Sequence, residues 1–492
     1  MAVRPVHVIL LAAGLGKRMR SATAKVLHPV AGRPMVAYPI AAAAALRPST
    51  VVVVVGNQGG SVRRAAQSEW ARLRLPDPVL RFAVQERQLG TGHAVLQAEP
   101  QLRGASGDLL ILSGDVPAIR PDTLRRLLRR HRASRAAATV LTTRLADPAG
   151  YGRVIRGDGA ARGEVIRIVE HRDATAAQRI IHEVNAGIYA VDPHRVFEAV
   201  RGGRRTNAQR EFYLTDIVTR FRAEGWRVVP FEHPFAAEVM GVNDRAELAR
   251  AGRALIVRTL ERLMAAGVTV VDPDRTDVEP TVRVGRDTVI HPGVTLAGST
   301  RIGRGCVLHP GSRLVDATVG DGSVVLDHCL IVESRIGSRA RVGPMANLRP
   351  GTRLADDVRI GNFVETKKAT LGRGSKANHL TYLGDATIGR RVNVGAGTIT
   401  CNYDGVHKHR TVMEDGVFIG SDTQLVAPVR VGRGAYVGAG STITKDVPAG
   451  ALAVSRVRQT NKKGWVEAKR RARDAGPRRA GGAAPDRGRE PE

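Results

Sequence analysis

The run LLAAGLGKRM, residues 10–19, follows an apolar stretch, Val6–Ala12, and sets Gly14 and Gly16 beside Lys17 and Arg18. Glycines free a backbone to turn its N–H groups toward a phosphate, and Lys17, Arg18 and Lys25 can offer positive charge to the same ligand. The run is not a P-loop, because G-x-x-x-x-G-K-[ST] is absent, and it lacks the third glycine of the dinucleotide fingerprint, which argues against a Rossmann dehydrogenase. Further on, LSGDVP at 112–117 places Asp115 where an apolar strand ends. A carboxylate there suits Mg²⁺, which prefers hard oxygen ligands and keeps several waters. In the rear half, polar residues concentrate in one stretch, 362–405, that contains His379. An imidazole titrates near neutrality and is the natural base for taking a proton from an ammonium group.

These groups need two different scaffolds. Apolar runs at Val6–Ala12, Val51–Gly56, Leu80–Gln85 and Leu109–Ser113 alternate with helical stretches such as PDTLRRLLRRHRA, 121–133. The alternation predicts a parallel sheet with helices on both faces and ligands at the carboxyl ends of its strands. Residues 244–267 keep helical spacing and predict a connecting helix. From about Val268 an aliphatic residue recurs every six positions, at 284, 290, 296, 302, 308 and 314. The rhythm slips by one and resumes at Val319, Val325 and Ile331, slips again for Ile336 to Ile360, and returns from Ile419 to Ile443. Six fits neither a helix nor one long strand; three six-residue faces close a triangular coil, the unit of a parallel β-helix. The stretch at 362–405 interrupts that rhythm, and a polar break in a rigid solenoid predicts a site.

Composition bounds the rest. At 492 residues two or more cores are expected. Cys306, Cys329 and Cys401 lie far apart with no metal or disulfide spacing, which fits a reducing cytoplasm. No segment reads as a signal peptide or membrane span. Lys and Arg number 76 against 46 Asp and Glu, for a net charge of +30. That excess suits a solvated surface and anionic small substrates, while aromatics at 4% leave few stacking platforms for nucleic acid. Residues 466–492, rich in arginine and poor in apolar groups, are expected to be a disordered basic tail.

The motifs LAAGLGKRM, KVLH, GTGHA, LSGDVP, GYGR, NAGIY and GVN occur in that order, and with HLTYLGDA and CNYDG in the solenoid they resemble one family. It is the bifunctional N-acetylglucosamine-1-phosphate uridylyltransferase/glucosamine-1-phosphate acetyltransferases, and the resemblance covers about 3–465. It implies a Rossmann-like nucleotidylyltransferase domain (1–243), a linker helix (244–267) and a left-handed parallel β-helix of hexapeptide repeats (268–465). It also implies UTP, amino-sugar 1-phosphates and acetyl-CoA as substrates, Mg²⁺ as cofactor, a homotrimer formed through the β-helix, no specific nucleic acid and no membrane insertion. The product, UDP-N-acetylglucosamine, is a cell-wall and lipid A precursor.

Position by position, the resemblance assigns Leu11, Ala12, Ala13, Gly14 and Lys25 to the nucleotide phosphates, with Lys25 catalytic. Gln85, Gly90 and Thr91 would read the uracil edge, and Ser113, Gly114, Gly152, Glu170 and Asn185 the sugar side. Asp115 and Asn243 would hold the metal. In the solenoid His379 would be the proton acceptor, oriented by Glu365. Arg349, Lys367, Tyr382 and Asn393 would bind the sugar phosphate; Ala396, Asn402, Tyr403, Ser421, Ala439 and Arg456 would line the acetyl-CoA site, with Lys408 nearby. Ala24 departs from the family, where proline often precedes this lysine. Ser113 stands where some of the family carry tyrosine, and Asn378 where glycine is frequent. Two rivals are a single-activity nucleotidylyltransferase with a regulatory β-helix, and a nucleic-acid-binding scaffold resting on the charge.

Overall fold

A computed structural model describes residues 4–56, 58–75, 79–203 and 207–474. Its N-terminal sheet has a central path that runs Val228–Glu232, Ala138–Arg144, Glu183–Val191, Asp108–Ser113, Val6–Ala12, Thr50–Val55, Leu80–Val84. Along Val6–Ala12, Val8 and Leu10 join one buried cluster and Ile9 the opposite one, so helices cover both faces. Continuous apolar strands are what a sheet buried on both sides requires.

The expected parallel sheet carries one strand of opposite sense between its central strands. Glu183–Val191 runs antiparallel to both neighbours, Asp108–Ser113 and Ala138–Arg144. The chain between 145 and 182 forms an antiparallel pair, Arg153–Arg156 with Val165–Val169, a 3-10 turn, Gly159–Ala161, and one short α-helix, Ala176–Arg179. No long helical crossover carries the chain back to the starting edge, so the next strand returns in the opposite sense.

A helix, Arg245–Ala265, begins at Asp244, whose carboxylate accepts the Glu247 N–H at 2.8 Å. Its first half places Leu255 beside Val30, Met35 and Tyr38, while Leu260 and Leu263 complete the end of the solenoid core. The solenoid stacks short parallel strands coil on coil. One column is Val284, Ile302, Val319, Ile336, Leu354, Leu371, Ile388, Met413, Val431. The slips in the rhythm are coils of 17 residues among coils of 18, as in Ile302 to Val319 against Val284 to Ile302. The step from Ile388 to Met413 is longer, because the segment around 402–409 bulges from that coil. This is the left-handed hexapeptide β-helix.

Buried hydroxyls line its corners. Ser323, 1% exposed, donates to the Gly337 carbonyl at 2.8 Å and accepts the Ala340 N–H at 3.0 Å, tying adjacent coils. Ser312 and Ser375 repeat the arrangement. Cys306 and Cys329 occupy equivalent corners, with Sγ facing the Gly320 and Val342 carbonyls at 3.2 and 3.7 Å, so these two thiols are packing residues.

The basic tail also differs at its start. Trp465–Asp474 is a helix with no buried residue, where disorder was expected from 466. Ala, Lys, Arg and Glu are good helix formers, and Lys469 lies over the Trp465 ring one turn away. Residues 475–492 of that tail lie outside the described residues.

Candidate active sites

Three segments meet at the carboxyl end of the N-terminal sheet. Asp115 follows the strand Asp108–Ser113, Lys25 opens a short 3-10 turn, and Asn243 precedes the linking helix. Lys25 Nζ pairs with Asp115 Oδ2 and also lies 3.3 Å from Asn243 Oδ1. Arg18 donates to the same amide oxygen at 2.9 Å. A carboxylate and an amide oxygen thus converge on one cationic position, the donor set a hard divalent ion requires. Among the described residues no group of three or more His, Cys, Asp and Glu forms a metal cluster, so the remaining ligands would come from water and substrate phosphates. The side chain of Lys17 lies outside the described part.

The backbone around this point leaves no room for larger residues. A Cβ on Gly114 would meet the Leu11 carbonyl at 2.9 Å, and one on Gly241 would meet Asp115 Oδ1 at 3.1 Å. Two hollows share Leu11, Thr91, Ser113 and Asp115. One extends along Ala12, Ala13 and Gly14 to Gln85 and Gly90; the other extends to Gly152, Glu170, Asn185 and Asn243. The expected nucleotide and sugar residues therefore face two sides of the point where Lys25, Asp115 and Asn243 meet.

Each side has its own support. Gln85 is buried, donates to the Gly90 carbonyl at 3.0 Å and lies 3.0 Å from His93 Nδ1. Gly90 has φ +110° and passes so close to the Phe212 carbonyl that a side chain is excluded. Thr91 Oγ1 accepts the Leu214 N–H at 3.0 Å. On the sugar side a bulge falls between Asn185 and Tyr189, and Asn185 is held by the Tyr189 hydroxyl at 2.7 Å and the Gly187 N–H at 3.0 Å. Burial pushes the Glu170 carboxyl up from its usual range; Thr215 donates to it at 3.3 Å. Ala24 donates its N–H to Gln58 Oε1 at 3.0 Å, a bond that proline would lack.

Sequence reasoning missed Glu247 and Tyr151. Glu247 Oε2 accepts the Asn243 N–H at 2.6 Å, and the Tyr151 hydroxyl lies 3.4 Å from Glu247 Oε1. Burial first, then the charge of Glu247, pushes the Tyr151 phenol up to about 12. The signal was present as Asp244-x-x-Glu247, the capping pattern that opens a helix.

The solenoid site is built on two strands of nine residues, Arg359–Lys367 and Lys376–Gly384, where most coils have strands of two or three. Their register pairs Asn362 with His379 and Glu365 with Tyr382. His379 Nδ1 faces Asn362 Oδ1 at 3.1 Å, and an amide oxygen only accepts, so the contact suits the tautomer with its proton on Nδ1 and its lone pair on Nε2. The expectation that Glu365 orients His379 is therefore corrected. Glu365 binds Arg349 at 2.7 Å, and parallel pairing sets it three residues along the strand from Asn362.

Lys367 belongs to a cationic cluster: neighbouring Lys408, and then Arg349, hold its ammonium below the usual lysine range. Tyr382 lies beside Glu365 in the sheet, and Asn393 pairs with Phe418 on the next coil. Asn402 donates to Asp385 Oδ2 at 2.6 Å, while the Tyr403 hydroxyl contacts the Gly405 carbonyl. Ala396, Ser421 and Ala439 follow one edge, since Asp422 N–H bonds the Ala396 carbonyl and Gly440 N–H the Ser421 carbonyl. Arg456 donates to the Ala439 carbonyl at 2.6 Å. Burial pushes the Cys401 thiol up, the opposite of what a nucleophile needs.

No helix among the described residues is long and apolar enough to cross a membrane. Residues 8–184 match the MobA-like NTP transferase domain, 274–371 the GMPPB C-terminal domain, and 410–445 the bacterial transferase hexapeptide repeats. Bifunctional protein GlmU of Geobacter metallireducens is 53% identical over 478 residues, covering 93% of this chain and 97% of that protein. The same-named protein of Pelobacter propionicus is 49% identical over 460 residues, covering 94% and 98%. That of Ralstonia nicotianae is 47% identical over 470 residues, covering 95% and 100%. With a nucleotidyltransferase domain at its front and hexapeptide transferase repeats at its rear, the chain belongs to the bifunctional GlmU family and makes UDP-N-acetylglucosamine by acetyl and then uridylyl transfer.

Proposed function

We propose that uridylyl transfer runs at the Lys25–Asp115–Asn243 cluster with Mg²⁺ held by Asp115 and Asn243. The observation that supports this is the single cationic position shared by the Asp115 and Asn243 oxygens. Bound there, Mg²⁺ would neutralise charge on the UTP phosphates. The chain's own residues do the rest. Gln85, Gly90 and Thr91 hold the base, Gly14 and Lys25 the phosphates, and Gly152, Glu170 and Asn185 the sugar. A phosphate oxygen of N-acetylglucosamine 1-phosphate attacks the α-phosphorus of UTP, and pyrophosphate leaves.

For the acetyl half, His379 is the base. Its Nε2 takes a proton from the amino group of glucosamine 1-phosphate, the amine nitrogen bonds the thioester carbonyl carbon, and the C–S bond breaks to release CoA. Arg349, Lys367, Tyr382 and Asn393 would hold the sugar phosphate, and the cationic cluster of Lys367 with neighbouring Lys408 and Arg349 supports this placement. Ala396, Asn402, Tyr403, Ser421, Ala439 and Arg456 would carry acetyl-CoA along the solenoid edge.

The working units are 1–243, 244–267 and 268–465, in a cytoplasmic homotrimer. Exposed Phe418, Tyr436 and Leu452 form an apolar column on one face, with Phe418 and Tyr436 stacked at 5.1 Å, which suits subunit contact. Incubation with glucosamine 1-phosphate, acetyl-CoA, UTP and Mg²⁺ should yield UDP-N-acetylglucosamine, pyrophosphate and CoA. Omitting Mg²⁺ should stop pyrophosphate release and spare CoA release; a metal-independent uridylyl transfer would overturn the metal assignment.

A further inference from the structure

Asp115 and Asn243 come from segments far apart in sequence, yet their two oxygens must keep a fixed separation to hold one ion. One backbone bond ties the segments directly, from Val242 N–H to the Asp115 carbonyl at 2.8 Å. A second tie lies behind the site and centres on a buried carboxylate. Glu238, 5% exposed, sits on the short helix Ala236–Val239 that leads into Asn243. Its Oε1 accepts the Thr123 hydroxyl at 2.5 Å and the Arg120 N–H at 3.3 Å.

Arg120 and Thr123 begin the helix Pro121–Ser134, which closes the loop that carries Asp115 and has no side-chain cap of its own. A carboxylate suits that position, since the first N–H groups of a helix lack partners and the helix dipole favours negative charge there. His233 packs alongside, with Nε2 3.2 Å from Thr123 Oγ1 and 3.7 Å from Glu238 Oε1. Arg258, from the linking helix, donates to the Ala118 carbonyl at 2.9 Å and faces the same carboxylate. None of these groups lines either of the two hollows beside Asp115.

We propose that Glu238 is a positioning residue: by clamping the Asn243 segment onto the Asp115 loop, it sets the spacing of the two oxygens and thereby the affinity for a divalent cation. The proposal rests on the assignment of the metal to Asp115 and Asn243. A merely structural role would lower thermal stability and leave cation affinity alone. A positioning role raises the Mg²⁺ concentration needed for uridylyl transfer, and kcat recovers when Mg²⁺ is saturating.

The test uses the full chain with UDP-N-acetylglucosamine present and Mn²⁺ as the probe, its binding followed by electron paramagnetic resonance. Glu238→Ala should weaken Mn²⁺ binding by about 10–100-fold, the usual cost of removing support behind a metal ligand, while CoA release from acetyl-CoA stays at the parent rate. Glu238→Gln keeps an acceptor oxygen for Arg120 and Thr123 and should restore most of the loss. Parental Mn²⁺ affinity in folded Glu238→Ala overturns the proposal. Should that variant not fold, Thr123→Val decides, since it removes one arm of the clamp and must also weaken Mn²⁺ binding. Asp115→Asn separates the two layers of the argument: if it too binds Mn²⁺ as the parent does, the metal assignment itself fails.

Discussion

The two candidate sites are assembled in opposite ways. At the front, Lys25, Asp115 and Asn243 are distant in sequence and meet only because three chain segments converge at the carboxyl end of a sheet. At the back, Asn362 and His379 are neighbours because one coil lies directly on the next. In the α/β half, position along the chain says little about which groups touch. In the solenoid, a coil of 17 or 18 residues converts sequence interval into spatial contact. Distant assembly needs clamps, as Glu238 and Glu247 illustrate; stacked assembly needs only an unbroken register.

If the sites are as separate as their construction suggests, each can be silenced alone. His379→Ala should slow acetyl transfer by about 10²–10⁴-fold, the usual worth of a general base. Pyrophosphate release from supplied N-acetylglucosamine 1-phosphate should not change. Asp115→Asn should do the converse, slowing uridylyl transfer by about 10²–10³-fold, as loss of one charge-stabilising group commonly does. A folded variant that loses both activities would break the comparison.

A smaller effect should sharpen it. Ser323→Ala leaves the Gly337 carbonyl and Ala340 N–H without their buried partner. The solenoid should lose about 1–3 kcal/mol of stability by denaturant unfolding, with uridylyl transfer untouched. Smallest of all, stopping the chain after Glu467 should alter neither activity, because residues 468–474 are exposed. A fall in CoA release on that truncation would tie the basic end of the chain to the acetyl site.

The same contrast explains what the sequence revealed. The six-residue rhythm and its slips were readable because every inward aliphatic from Val284 to Ile360 repeats one local geometry. The strands leading to Gly14 and Asp115 were readable as apolar runs. The reversed strand Glu183–Val191 was not, because its direction depends on the short pair Arg153–Arg156 and Val165–Val169, whose sequences do not announce a missing crossover. Glu365 was misread for a related reason. Carboxylates commonly orient histidines, but which residue faces His379 depends on a pairing offset that only the stacked coils define. Glu238 carried no visible signal, since an acidic residue in AAEV looks like any solvated helix position until its burial is seen.

The stacking of the solenoid also makes it a ruler. Each coil advances the axis by about 4.8 Å, the spacing between hydrogen-bonded strands, and each corner hydroxyl joins only adjacent coils. Removing one whole coil between the linking helix and Arg349, cut at equivalent corners, would join like to like. Such a protein should keep both catalytic sets intact and bring the acetyl site one step nearer the helix. The distance between the two chemistries is therefore a countable quantity, set in whole coils and open to change without touching either site.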